Sequence, residues 1–398
     1  MDYFIQSNYS LEDLEDFRDS NGFIDLDSAG IQLTNESREK RGTVDRFKNW
    51  VDFNGKKALI RGEVVDAENY SIYAELIVEE IAKELSIDSA HYDLIKLKDE
   101  DGVEKFGVLS ESIIDFDKEE LFSLRDLIGD EPRDPNEKID YASTVNYQFT
   151  LEQLRKRLKS INYSEQDIDK IISDYNKRSL FYLTVLDIDK HPENISFIKE
   201  INGNSNIKLS PNYDSEFSLF LEKDKEMAEF FLDYPSEFGK EMNIQDPRIG
   251  TIVSKKDGGW NEMWKDTLEL LIEDDEIYDY YNNNIREKIN MEEILQKVES
   301  RIHAPLPSIV KNIAIKAYNT RNNTIEKIVD GELQPKQSKQ EKLTPNSFLN
   351  ELISKSTQAS LRTGEQIAVG KTMENDMAKE KYHEYDNLLD KLFPSLDD

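Results

Sequence analysis

One stretch constrains this chain more than any other: residues 183–214, and within it the run Asp187-Ile188-Asp189-Lys190-His191-Pro192-Glu193-Asn194. An apolar segment, 179–186, leads into the run, and a β-like segment, 195–198, leads away from it. A second short strand then ends in Leu209-Ser210-Pro211-Asn212-Tyr213-Asp214. Asp189, Asn194 and Asp214 therefore all sit beside strand ends. An amide or carboxylate oxygen in such a place suits a hard divalent cation, and an isolated carboxylate suits proton transfer.

Composition decides what such a cluster can serve. The chain has 398 residues, enough for two to three lobes or domains with a sizeable core. It carries 82 acidic against 51 basic residues, a formal net charge of -31. That field repels nucleic-acid backbones and anionic lipid, so direct binding to either is not expected. It favours a basic protein partner, and it requires any phosphate site to be locally basic or screened by metal. No cysteine is present, which excludes disulfides, cysteine nucleophiles and thiolate metal sites and fits a cytoplasmic chain. The four histidines are scattered at 91, 191, 303 and 383, so a His-rich zinc site is not expected. The start Met1-Asp2-Tyr3-Phe4-Ile5 lacks the basic and apolar regions of a signal peptide. No run approaches the ~18 apolar residues of a membrane span.

Along the chain, residues 1–36 read as an acidic arm packed on a first lobe, with Ser10 and Asp13 as a capping pair. Residues 37–48 are a basic turn, and Asn54-Gly55 between apolar stretches reads as a hairpin. A helix is expected over 70–86 from Ile72, Leu76, Ile77, Ile81 and Leu85, with Glu75 at the edge of its apolar face. Strands follow at 92–98 and 105–109 around an Asp-Gly turn, then a short helix at 118–128 and a loop at 129–136. Helices are expected at 150–160, 164–176 and 179–186, with Ser164 as a cap. Residues 217–231 read as irregular and 235–257 as loop-like. Further helices are expected at 264–281, 291–301 and 307–328. Residues 331–346 read as a linker, and 347–398 as a tail with amphipathic segments at 348–354 and 382–393. Trp260 and Trp264 read as packing residues.

Asp189 and Asn194 stand five positions apart, with His191 between them, giving the order Asp-x-His-x-x-Asn. Protein kinases share that Asp-to-Asn interval, the Asp accepting or orienting the substrate proton and the Asn holding magnesium. With the His placed so, the chain resembles the HipA-like bacterial Ser/Thr kinases, including their smaller CtkA-type members, on a phosphatidylinositol 3/4-kinase-like fold. The resemblance covers roughly residues 37–330. It implies an α+β bilobal protein-kinase-like fold: a small β-rich N-lobe (37–114) with one αC-like helix, a larger helical C-lobe (115–330), and a C-terminal helical extension. It makes Asp214 the second magnesium ligand and Asp189 the catalytic residue. It makes the basic turn a counterpart of the phosphate loop, with Ser37 or Thr43 as autophosphorylation sites. His191 is expected to pack under the loop, and Asp187 either joins the loop's hydrogen bonds or is solvated.

The resemblance calls for a lysine at the end of a strand before the αC-like helix. Here Ala58-Leu59-Ile60 is followed by Arg61, with Lys57 four residues earlier on the same strand face. Arg61, fixed by Glu75, is the favoured nucleotide anchor and Lys57 the reserve. The implied activity is ATP- and Mg2+-dependent phosphoryl transfer to a protein hydroxyl, with a regulatory or antitoxin-like protein as a further partner. Two alternatives stay open: a lipid or small-molecule kinase on the same fold, and a weak or non-catalytic nucleotide-binding scaffold, which Arg61 in place of lysine would suit.

Overall fold

A tight turn and an alternating pattern build the centre of the N-terminal sheet. The computed structural model describes residues 4–32, 38–41, 44–63, 70–98, 102–128, 147–190, 192, 194–201, 207–222, 225–244 and 263–332. The first part contains β1 (Ile5–Ser7), β2 (Ile24–Asp25), β3 (Arg38–Arg41), β4 (Val44–Phe53), β5 (Lys56–Glu63), helix α1 (Ser71–Glu84), β6 (Tyr92–Lys98) and β7 (Glu104–Glu111). Asn54 and Gly55 join β4 to β5 at φ 55° and 94°, the left-handed pair that a two-residue hairpin turn requires. Among the described residues these seven strands form one sheet in the order β1-β4-β5-β7-β6-β2, with β3 paired to β4.

The register explains which side chains go where. Trp50 pairs with Leu59, and Lys48 with Arg61, so these four share one face. The intervening residues Phe47, Val51, Phe53, Ala58 and Ile60 take the other face. There they pack with Ile95, Leu97 and Leu109 and with Leu14, Ile24, Leu26, Ala29 and Ile31 from the N-terminal segment. That segment is part of the sheet, since β1 runs parallel to β4 and β2 parallel to β6. Ser10 and Asp13 do form a reciprocal cap: Ser10 N donates to Asp13 Oδ2 at 2.8 Å and Asp13 N to Ser10 Oγ at 3.3 Å. Gly62 and Gly107 face each other across β5 and β7 beneath the Phe47 ring. A Cβ at Gly62 would lie 2.4 Å from Phe106 O, and one at Gly107 2.2 Å from Arg61 O, so the ring and backbone close where only glycine fits.

Helix α1 packs on the opposite face of the sheet, and its residues from Ser71 to Ala82 are all buried. Three of them are glutamates, and each has a cation within reach, as burial of charge demands. Glu75 meets Arg61, Glu79 meets Arg301 at 2.8 Å, and Glu80 meets Arg301 at 2.8 Å.

The second part is mostly helical: α2 (Leu124–Ile128), α3 (Tyr147–Ser160), α4 (Glu165–Thr184), α5 (Lys225–Asp233), α6 (Pro235–Ile244), α7 (Met263–Ile272), α8 (Asp275–Tyr280), a π turn at Tyr281–Ile285, α9 (Arg286–Lys288), α10 (Met291–Ile302) and α11 (Ser308–Val329). Three short strands, β8 (Glu119–Ser123), β9 (Ser196–Glu200) and β10 (Ile207–Leu209), form a second sheet. The architecture is α+β, a curled β-rich N-terminal part and a helical C-terminal part. Arg178 and the 88–90 segment join the two: Ala90 N donates to Asn212 O at 2.7 Å, and Asn212 N to Asp88 O at 2.7 Å.

Several elements differ from local expectation. The helix expected over 118–128 is β8 followed by α2, because β8 pairs with β9 and Phe122 stacks on Phe197 at 6.1 Å. The two helices expected at 164–176 and 179–186 are one, α4, since Asn176 and Arg178, on either side of Lys177 at the expected break, are both buried. Residues 225–233 and 235–244 are helical rather than irregular and loop-like. Pro235 stands at the first position of α6, where its missing N–H costs nothing. The loop expected at 129–136, Trp260, and everything beyond Glu332, including most of the 331–346 linker and the 347–398 tail, lie outside the described residues.

Candidate active site

Helix α4 delivers the site. Ser164 caps its start by accepting from Asp167 N at 3.2 Å, and the chain leaves its end through Leu186 at φ 53°. Asp187 and Lys190 then turn inward: both side chains are fully buried and lie 3.2 Å apart. Asp189 lies between them on the loop and is half-buried. Asn194 Nδ2 donates to Asp189 O at 2.8 Å and to its Oδ2 at 3.1 Å, closing the loop across the five-residue interval. Neither bond uses the amide oxygen of Asn194.

The β9–β10 hairpin carries Asp214 back to the same end. Its antiparallel register pairs Phe197 with Leu209, and Ser210 N donates to Ser196 O at 2.9 Å. The residues just before β9, which include Asn194, therefore lie at the hairpin end from which Asp214 emerges. Ser196 Oγ and Tyr213 OH share a hydrogen bond of 2.5 Å there. Lys190 Nζ crosses from the other loop and donates to Tyr213 O at 2.5 Å and Asp214 O at 2.6 Å.

Arg61 reaches this point from β5. Its guanidinium pairs with Glu75 and with Asp214, and lies 3.4 Å from Glu216. Glu75 uses its other oxygen to accept from Ser215 N at 2.8 Å, and Tyr92 OH accepts from Asp214 N at 3.0 Å. Burial works against both charges, but Asp214 and Glu216 raise the Arg61 pKa above its ordinary value. Burial likewise opposes ionisation of Asp214, yet Arg61 and Lys190 hold it below the usual carboxylate range. Burial pulls Lys190 toward neutrality, and Asp187 more than offsets it, so Lys190 is raised. Lys48, exposed on β4 directly opposite Arg61, adds to the pull on Asp214.

The sequence-derived residues separate into two groups. Asp189 with Asn194, and Arg61 with Glu75 and Asp214, are brought to one end of the hairpin. Lys57, the reserve anchor, is not with them: its ammonium lies 3.2 Å from Asp52 and 4.0 Å above the Phe4 ring. His191, Ser37 and Thr43 lie outside the described residues. Glu216, Tyr92 and Lys190 were not given a role from the sequence, although Lys190 carried a signal as a lysine inside the Asp189–Asn194 run; Lys48 is the last residue of the basic turn read as a phosphate-loop counterpart. Asp187 proves buried rather than solvated.

An apolar cavity of about 610 Å³ opens along the same sheet face, lined by Trp50, Ile113, Ile114, Phe116, Leu121 and Ile201 with Glu119 and Glu120. None of the charged site residues lines it. Trp50 and Leu59 nonetheless stand one same-face step from Lys48 and Arg61, about 7 Å along the strands.

The donor set is of the kind that a hard divalent cation takes. Asn194 and Asp214 supply hard oxygen, and three carboxylates face one guanidinium at Arg61, leaving the cluster short of positive charge. Among the described residues no group of three or more acidic or His side chains is placed to hold a metal ion by itself.

No family model matches the sequence, and no curated protein matches it. Among solved structures, the chain is similar to the Helicobacter pylori proinflammatory kinase CtkA at 14% identity, covering 72% of this chain and 93% of that one, with a TM-score of 0.47. It is similar to HipA of Shewanella oneidensis, solved with HipB and operator DNA, at 13% identity over 76% of this chain and 69% of that one, TM-score 0.42. The Golgi casein kinase overlaps 80% of this chain and 77% of its own at 9% identity, TM-score 0.37. All three overlaps are loose.

Proposed function

We propose that the chain is an ATP-dependent phosphotransferase acting on a protein Ser or Thr hydroxyl. The observation that carries this is the convergence of Asp189, Asn194, Asp214 and the Arg61–Glu75 pair at one hairpin end. In this reading Asn194 and Asp214 would hold magnesium, which neutralises charge on the transferring phosphoryl group. Asp189 orients the acceptor hydroxyl and takes its proton, and the Asn194 amide keeps that carboxylate aimed. Arg61, steadied by Glu75, meets the phosphates, with Lys48 as a second, exposed cation. The cavity beside Trp50 has the size and apolar lining for a nucleotide base one strand step from Arg61. Positioning and charge neutralisation suffice for this chemistry.

Calorimetric titration with ATP in the presence and absence of Mg2+ tests the site. Mg2+ should strengthen binding in the wild type and lose that effect in Asp214→Ala. Equal Mg2+ dependence in both proteins would remove Asp214 from the role. Offering protein acceptors beside phosphoinositides and small alcohols tests the acceptor class.

One observation favours a second reading, a nucleotide-binding module without turnover. Arg61 already meets Glu75, Asp214 and Glu216, so phosphate must compete for it with three carboxylates. Thermal stabilisation by Mg-ATP without any phosphoryl transfer would select this reading.

A further inference from the structure

Lys190 is a fully buried cation that the mechanism above does not use. Its ammonium donates to two consecutive backbone carbonyls of a different loop, Tyr213 O at 2.5 Å and Asp214 O at 2.6 Å, and forms an ion pair with Asp187 Oδ2 at 3.2 Å. The ring of Tyr182 lies 5.2 Å from the ammonium and that of Tyr213 5.9 Å, completing an aromatic wall. Burying an ion pair is rarely worth its desolvation, so stability alone does not explain this one.

What the pair does is visible at Asp214. That residue sits at φ 58°, a left-handed conformation that the Cβ of a non-glycine residue disfavours. The conformation turns its carbonyl inward to Lys190 while its carboxylate meets Arg61. Tyr92 accepts from its N–H, and Glu75 from that of Ser215. Tyr92 and Glu75 come from the N-terminal part, but Lys190 is the neighbour of Asp189. We infer that Lys190 is a positioning residue that ties the Asp189 loop to the Asp214 loop, holding the Asp214 carboxylate in its metal-binding orientation, with Asp187 as the counter-charge that lets the ammonium be buried. This rests on the reading of Asp214 as a metal ligand.

Lys190→Met alone strands a buried carboxylate and is expected to unfold the chain in part, so the informative protein is Asp187→Asn/Lys190→Met, which removes both charges. The full chain is titrated with Mn2+ in the presence of ADP, free Mn2+ being read by electron paramagnetic resonance. Mn2+ should bind the double variant at least about tenfold more weakly than wild type, the usual cost of losing a support behind a metal ligand, while metal-free ADP binds both equally. Backbone hydrogen exchange gives a readout free of metal and turnover: peptides over 212–216 should exchange about tenfold faster, with α4 unchanged. A folded double variant with Mn2+ affinity within about twofold of wild type, or with unaltered exchange at 212–216, overturns the inference. So does a double variant that fails to fold, because the pair then holds the fold and not one loop. Wild-type protein that binds Mn2+ and ADP but transfers no phosphoryl group refutes the catalytic reading and leaves this inference to the exchange comparison.

Discussion

Arg61 concentrates the energetics of the site. It is the counter-charge of Glu75, which is 1% exposed, so Arg61→Ala leaves a carboxylate buried without its partner. That should destabilise the fold by about 3–5 kcal/mol, as breaking a buried pair does, and urea unfolding of Arg61→Ala against wild type measures it. Glu75→Gln with Arg61→Ala should recover part of the loss; a single variant as stable as wild type would show that Glu75 leans on Ser215 N instead. Asp189 makes the opposite kind of prediction. It is half-buried and pairs with a neutral amide, so Asp189→Ala should leave stability nearly unchanged while cutting phosphoryl transfer by about 10²–10⁴-fold. The Asp189–Asn194 interval was legible in the sequence because a loop closes over a fixed number of residues. Glu216 and Tyr92 were not, because their meaning comes from partners such as Arg61, 155 positions away from Glu216.

At the scale of elements, α1 is held by charges as much as by its apolar face. His91 Nδ1 lies 2.8 Å from Glu79, and Nε2 lies 3.4 Å from Asp93. Beyond them stand Lys83, Arg301 and Arg18. Hydrogen bonds to Asp93 and Glu79 raise the His91 pKa from 6.5 to about 9. A raised folded-state pKa stabilises fully below 6.5 and loses that contribution as pH rises through about 9. The stability difference between wild type and His91→Gln should therefore shrink from pH 6 to pH 10, modestly, since the ring is 41% exposed. A difference constant with pH would detach His91 from the helix. Gly62→Ala should cost about 1–3 kcal/mol, because its Cβ meets Phe106 O and the Phe47 ring; a thermal melt reads it. The hairpin at Asn54-Gly55 and the cap at Ser164 were legible because a turn or cap is a local demand on residue type. Strand β8 was not, since its strand character comes from pairing with β9, and α6 was hidden by reading Pro235 as a breaker instead of a first-turn residue.

For the molecule as a whole, the N-terminal segment decides whether the sheet has a dry outer face. Leu14, Ile24, Leu26, Ala29 and Ile31 cover Phe47, Val51, Phe53 and Ile60, so removing residues 1–32 bares a continuous apolar surface. The truncated chain should aggregate or bind a hydrophobic dye strongly, while a monodisperse, dye-negative product on size exclusion would show the segment to be dispensable. No described helix is long and apolar enough to cross a membrane. The opposite face of the same sheet carries Lys48, Trp50 and Arg61 toward the loops at Asp189 and Asp214, and the account stands or falls on whether that face transfers phosphate. The direct measurement is incubation of the full chain with γ-labelled ATP and Mg2+, wild type beside Asp189→Ala and Asp214→Ala, with label followed on the chain and on added protein. Wild type should label in a Mg2+-dependent way and neither variant above background, with all three proteins unfolding cooperatively. Labelling by Asp189→Ala equal to wild type, or none by a wild-type chain that binds Mg-ATP, would contradict the account.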